Sequence, residues 1–142
     1  MGKIIKYGII TLAGVTLLGV AYFMAVVGSA AVVNDMSPII RTESKLERIV
    51  EIERKKLGLD SSVIIKTELI THGKARSGKV GKNKYLIQLG GGLATQEGVQ
   101  HELYHIYDGH LENLSSGPLK TLKYLFWYEP QAALYQVFGL KP

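Results

Sequence analysis

Between Tyr7 and Val33 the chain carries no charged residue, and the run is filled with Ile, Leu, Val, Ala and Gly. About twenty apolar residues cross the hydrocarbon core of a bilayer as a helix, so this run reaches across with some tilt. It has no polar face, which argues against a helix buried in a soluble core. It is also much longer than the apolar part of a secretory signal, about seven to fifteen residues. An uncleaved anchor is therefore favoured over a signal peptide cut at the small residues Gly28-Ser29-Ala30. Lys3 and Lys6 precede the run and favour a cytoplasmic N-terminus. Arg41, Lys45 and Arg48 on the far flank oppose that bias. The expectation is a single-pass membrane protein with its anchor at 1–33, a polar linker at 34–41 and a domain over 42–142 on the non-cytoplasmic side. The lipid bilayer is thus the first partner.

A domain of about a hundred residues holds one modest core. The chain has no cysteine, so disulfides, thiolate nucleophiles and thiolate ligands are excluded. The formal charge is +5, and part of the excess lies between Lys74 and Lys84. Such a patch reads as a solvated loop, or as a contact with an anionic membrane surface or an acidic partner, and no nucleic-acid partner is expected.

Within the domain, Thr42 is placed to cap a helix over Glu43 to Leu57, which Gly58 would end. Leu46, Ile49, Val50 and Leu57 trace its buried stripe, interrupted by Glu53, and Glu51–Lys55 is a favourable exposed pair. Ser62 to Ile70 is rich in β-branched residues and reads as a strand, as does Lys84 to Leu89. Antiparallel pairing of the two is expected, with Thr71 to Asn83 as a loop. In the second strand Tyr85, Ile87 and Leu89 share one face, and Leu86 and Gln88 the other. After Gly90-Gly91-Gly92, Thr95 would cap a helix to about Asp108, ended by Gly109. Ser115-Ser116-Gly117-Pro118 opens a last helical region, Leu119 to Phe138, which Pro130 should kink or divide.

The third of these helices carries the chemistry. His101-Glu102-Leu103-Tyr104-His105 has the H-E-x-x-H spacing. Residues four apart lie one turn apart on the same helix face, so both imidazoles can reach one ion. Zinc takes nitrogen ligands at about 2.0–2.1 Å in a tetrahedral array. Glu102, offset around the helix, is the candidate catalytic base for a water activated by that zinc. A third protein ligand must come from elsewhere, and Asp108, His110, Glu112 and Glu129 are the candidates. Asp108 shares the histidine face but sits too close in sequence to complete a tetrahedron, so it is better placed as an acceptor behind a ligand histidine. His110 and His72 read as ordinary, partly exposed histidines. Glu129 lies among Trp127, Tyr128, Ala132 and Ala133, where an acid needs a partner.

The stretch Tyr85 to Leu93, then Glu97, then His101-Glu102-Leu103-Tyr104-His105-Ile106 with Gly109-His110, resembles the strand-loop-helix core of gluzincin metallopeptidases. The likeness is to the membrane-associated CaaX-processing and heat-shock type and to the soluble minigluzincins, and it covers roughly residues 84–138. The resemblance implies a minimal α+β zincin-like domain, a Zn2+ cofactor and hydrolysis of a peptide or protein substrate. It also implies that Glu129, from a Glu-x-x-Ala-Asp-like pattern, is the third ligand beside His101 and His105. The acid of that pattern is replaced here by Ala133, and Pro130 directly follows the ligand. The strand carrying Tyr85, Leu86, Ile87, Gln88 and Leu89 would form the rim of the cleft, binding an extended substrate along its free edge. The rival expectations are a non-enzymatic membrane protein whose domain binds a partner, and a zinc-bound relative without proteolytic activity.

Overall fold

The computed structural model describes residues 2–112 and 120–141, with side chains from residue 18 onward. The fold is α+β, with one apolar N-terminal helix ahead of a three-stranded sheet and its helices.

Helix α1 runs Gly2–Asp35 and is long and apolar enough to cross a membrane. Its last turns are not free. Val26, Ala30 and Asn34 are buried, a stripe at the three-to-four residue spacing of a helix face. Small residues let a second helix approach closely: Ala30 meets Ala133, flanked by Val27, Leu134 and Val137. The stretch expected as a linker at 34–41 is held to the domain at both ends. Asn34 donates from Nδ2 to the Gly92 carbonyl at 2.9 Å and accepts from Thr95 Oγ1. Ile40 is 2% exposed and its N–H bonds the Ala94 carbonyl at 2.6 Å. A segment with those partners is part of the domain.

Helix α2 spans Glu43–Leu57. Thr42 caps it through Lys45 N–H, and Gly58 closes it at φ 74°, in the left-handed region that glycine enters without strain. Leu46, Val50 and Leu57 are buried, and so is Glu53. Glu53 is no flaw in the pattern: Lys56 Nζ donates to it at 2.7 Å, Gln96 Nε2 at 2.9 Å and Gln100 Nε2 at 3.1 Å. This buried carboxylate ties α2 to the following helix.

Strand β1 is Ile64–Ile70, β2 Ala75–Gly81 and β3 Lys84–Gly90, in the order β1-β3-β2. β1 pairs with β3 in parallel, not antiparallel, and β2 pairs with β3 antiparallel. The stretch expected as a loop supplies that extra strand. Asn83, at φ 52°, takes the left-handed turn position between β2 and β3, which asparagine tolerates better than most residues. β3 thus lies at the centre of the sheet. Tyr85, Ile87 and Leu89 point into the core, while Leu86 and Gln88 lie on the other face.

A short 3-10 turn, Gly91–Leu93, leads into α3, Gln96–Tyr107. Thr95 caps α3 through Gly98 N–H at 3.0 Å. A Cβ on Gly98 would stand 2.3 Å from the Leu93 carbonyl oxygen, so glycine is what lets α3 start this close to the turn. Val99, Leu103 and Ile106 then pack into the core against α2 and the sheet.

The C-terminal region is helical over α4, Lys120–Lys123, a π-helical turn, Tyr124–Tyr128, and α5, Glu129–Phe138. Residues Ser115 to Leu119, expected to open it, lie outside the described residues. Pro130 has no N–H to bond one turn back, and its ring crowds the carbonyl there. The wider turn absorbs this, with Glu129 N–H reaching the Tyr124 carbonyl five residues back. The expected break at Pro130 takes this form.

Replacing Glu53 by Ala leaves Gln96, Gln100 and Lys56 without their acceptor. Thermal or denaturant unfolding of the full chain should show a loss of about 1.5–3 kcal/mol, the worth of hydrogen bonds to a charged group. An unchanged midpoint would show that this carboxylate does not join α2 to α3.

Candidate metal centre

His101 and His105 lie one turn apart on α3, and Glu129 reaches them from the first turn of α5. His105 Nε2 stands 3.2 Å from His101 Nε2. Glu129 Oε2 is 3.3 Å from His101 Nε2, and its Oε1 is 3.4 Å from His105 Nε2. Ligands about 2.0–2.1 Å from one zinc in a tetrahedron are separated by about 3.3–3.4 Å. The contacts among these three side chains, at 3.2–3.4 Å and with one carboxylate oxygen facing each imidazole, are close to that spacing, so the group could hold a metal ion.

The hydrogen bonds behind these side chains decide which nitrogens carry protons. His110 Nε2 lies 2.7 Å from Asp108 Oδ2 and 3.1 Å from Gln131 Oε1. Both neighbours are acceptors, so His110 Nε2 is the protonated nitrogen and its Nδ1 is a lone pair. That Nδ1 stands 2.8 Å from His105 Nδ1, which must then be the donor. His105 is left with a lone pair at Nε2, aimed towards Glu129. The same logic fixes His101. Gln136 Nε2 donates to the Ala30 carbonyl of α1 at 2.9 Å, which turns Gln136 Oε1 towards His101 Nδ1 at 3.1 Å. His101 Nδ1 is the donor and Nε2 the lone pair. With both rings neutral, two imidazole lone pairs and a carboxylate would face one another, a donor set that fits a cation.

Packing holds these groups still. His105 is 0% exposed and stacks on Tyr124 at 5.4 Å, while His110 is 1% exposed and stacks on Tyr128 at 4.0 Å. Burial by itself raises the Glu129 carboxyl, but hydrogen bonds and charge from His101 and His105 outweigh it and hold the group well below the usual carboxylate range. Burial pulls His101 down, yet the carboxylates of Glu129 and Glu102 bring it above its ordinary value. Burial and the neighbouring His105 lower His110, against the pull of Asp108. Burial, reinforced by Glu129 and Glu102, drives the Tyr124 phenol upward, so it keeps its proton.

His101, Glu102, Tyr124, Glu129 and Gln136 line a cleft of about 250 Å³, closed on one side by Val27, Ala30, Ala31 and Asn34 of α1. Comparison with protein-family models, with curated proteins and with solved structures returns no match.

Of the residues singled out in the sequence, His101, Glu102, His105 and Glu129 come together. Asp108, expected behind a ligand histidine, bonds His110 at 2.7 Å, and His110 in turn meets His105. His110 is therefore no ordinary surface histidine. Glu112 is elsewhere, accepting from Lys79 Nζ at 2.8 Å and Tyr85 Oη at 2.6 Å. His72 is exposed. The strand expected as the rim is also corrected. Both edges of β3 are taken by β1 and β2, so Tyr85, Leu86, Ile87, Gln88 and Leu89 have no free edge to offer, and none of them lines the cleft. Ala75 of the outer strand β2 does. Gln136, Gln131 and Tyr124 were missed. Gln136 lies seven residues after Glu129, two turns along the same helix face, which is a signal once Glu129 is chosen as ligand.

His110→Ala and Gln136→Ala should each weaken zinc binding about 10- to 100-fold, the usual cost of losing a partner behind a ligand histidine. Glu112→Ala should leave it unchanged. Competition against a chelating dye, with the full chain in detergent, measures all three. Equal affinities across the set would remove His110 and Gln136 from the site.

Proposed function

We propose that this chain is a membrane-anchored zinc-dependent peptidase, a zincin-like domain of the gluzincin type behind a single membrane-crossing helix. The observation that carries the reading is the convergence of His101, His105 and the Glu129 carboxylate at 3.2–3.4 Å, with Glu102 in the same cleft. Zinc held there would polarise a peptide carbonyl and acidify a water at the open fourth position.

The protein's own residues supply the rest. Glu102 takes the proton of the attacking water and passes it to the leaving amine. His110 and Gln136 hold the Nδ1 protons of His105 and His101, which keeps both rings oriented with Nε2 towards Glu129. Tyr124, which lines the cleft and retains its proton, offers a donor for the developing oxyanion. An extended peptide would add to the outer edge of β2, whose first residue, Ala75, lines the cleft. The apolar helix α1 supports a membrane location, and Lys3 and Lys6 ahead of its apolar run support a domain on the non-cytoplasmic side.

Glu102→Gln separates the chemistry from the fold. Incubation of the full chain in detergent with a mixed peptide library, read by mass spectrometry, should show cleavage falling by at least about 100-fold, as for loss of a general base. Zinc content should be unchanged. Cleavage that survives this substitution would refute the mechanism.

A further inference from the structure

The domain carries an apolar surface that its core does not explain. Leu122, Leu125, Phe126 and Trp127 are 51%, 40%, 51% and 62% exposed. Phe126 and Trp127 sit beside Tyr22 and Phe23 of α1, where Leu18, Tyr22 and Met24 are 73%, 50% and 65% exposed. The Phe23 and Phe126 rings are 5.5 Å apart, and a groove of about 370 Å³ runs between Tyr22, Phe23, Phe126, Trp127 and Pro130. Lys120 and Lys123 are exposed on the same segment.

The level of this patch along α1 points to what covers it. From Val26 onward α1 packs on the domain, so the part free to cross a bilayer lies before it. Tyr7 to Tyr22 and its immediate flanks supply about the twenty residues a hydrocarbon core needs. The boundary between acyl chains and headgroups then falls near Tyr22 and Phe23, where Phe126 and Trp127 also sit. Aromatic rings concentrate at that boundary. Lys120 and Lys123 precede Phe126 on a segment that runs parallel to α1, so they lie towards the acyl side and their long stems must carry the ammonium groups back to the headgroups. A soluble partner would have to cover this segment and the continuous apolar surface of α1 beside it, whereas a bilayer covers both at once.

We propose that the segment from Lys120 to Trp127 is a second membrane contact, seated in the headgroup–acyl boundary of the bilayer that α1 crosses. The domain then lies against the membrane instead of standing off it. The cleft wall at Ala30 is seven residues beyond Phe23, about 10 Å at the helical rise, so the mouth of the metal cleft opens close to the lipid surface. The proposal rests on α1 as a membrane span and is independent of zinc.

Trp127 is the chain's single tryptophan, so its emission reports this patch without any substitution. The full chain is reconstituted in vesicles of phosphatidylcholine and phosphatidylglycerol and recovered by flotation. Its emission is then measured with lipid brominated near the headgroup end of the acyl chains, and with iodide in the water. The expected result is blue-shifted emission that loses most of its intensity to the brominated lipid and little to iodide. Red emission quenched by iodide in a chain that floats would overturn the proposal while leaving the span intact. Blue emission untouched by brominated lipid would also overturn it, because another protein surface would then cover the patch. A chain that does not float overturns the span and the seat together, while zinc binding stays separately measurable.

Discussion

Two imidazole nitrogens and the two oxygens of one carboxylate, facing one another at 3.2–3.4 Å, are the constraint around which the site is arranged. With both rings neutral they would repel one another, so something positive, a metal ion or a proton on His101, stands between them. What forces the lone pairs inward lies behind the rings. Asp108 and Gln131 fix His110, His110 fixes His105, and Gln136 fixes His101. None of these outer groups has to touch an ion to determine what the inner ones can bind. The proposed zinc chemistry depends on that network as much as on the histidines themselves.

The network also makes the apolar helix part of the site. Gln136 is oriented by the Ala30 carbonyl, and Asn34 bridges Gly92 and the Thr95 cap of α3. The helix that would cross a membrane therefore ends as a wall of the cleft. Where the gluzincin-like pattern that α5 resembles carries an acid, this chain has Ala133, at 0% exposure against Ala30 and Val26. A carboxylate there would be driven into an apolar helix crossing, which is costly without a partner. Support for the ligand histidines comes instead from Gln136, one turn further along α5, and from His110.

Much of this was legible in local signals. Thr42 and Gly58 bound α2, Thr95 starts α3, and the H-E-x-x-H spacing needs only helical geometry to bring the imidazoles together. Glu129 was legible as an acid in apolar company. The rest depends on non-local pairing. β2 is an edge strand with alternating partial exposure and few apolar residues, so neither helical nor strand periodicity marks it. Without it, β3 reads as an edge and its pairing with β1 as a hairpin. His110 and Gln136 are ordinary polar residues until the chain folds and sets them against a ligand nitrogen. The burial of Glu53 likewise becomes intelligible only when Gln96 and Gln100 arrive from another helix.

The central claim is that His101, His105 and Glu129 share one zinc through two Nε2 atoms and a carboxylate. Zinc K-edge X-ray absorption on the loaded full chain tests this most directly, because the chain has no cysteine to add sulfur scattering. The account predicts about four ligands near 2.0 Å, with the outer-shell signature of two imidazoles and the remainder oxygen. A six-oxygen shell without imidazole scattering, or a chain that retains no stoichiometric zinc, would contradict it.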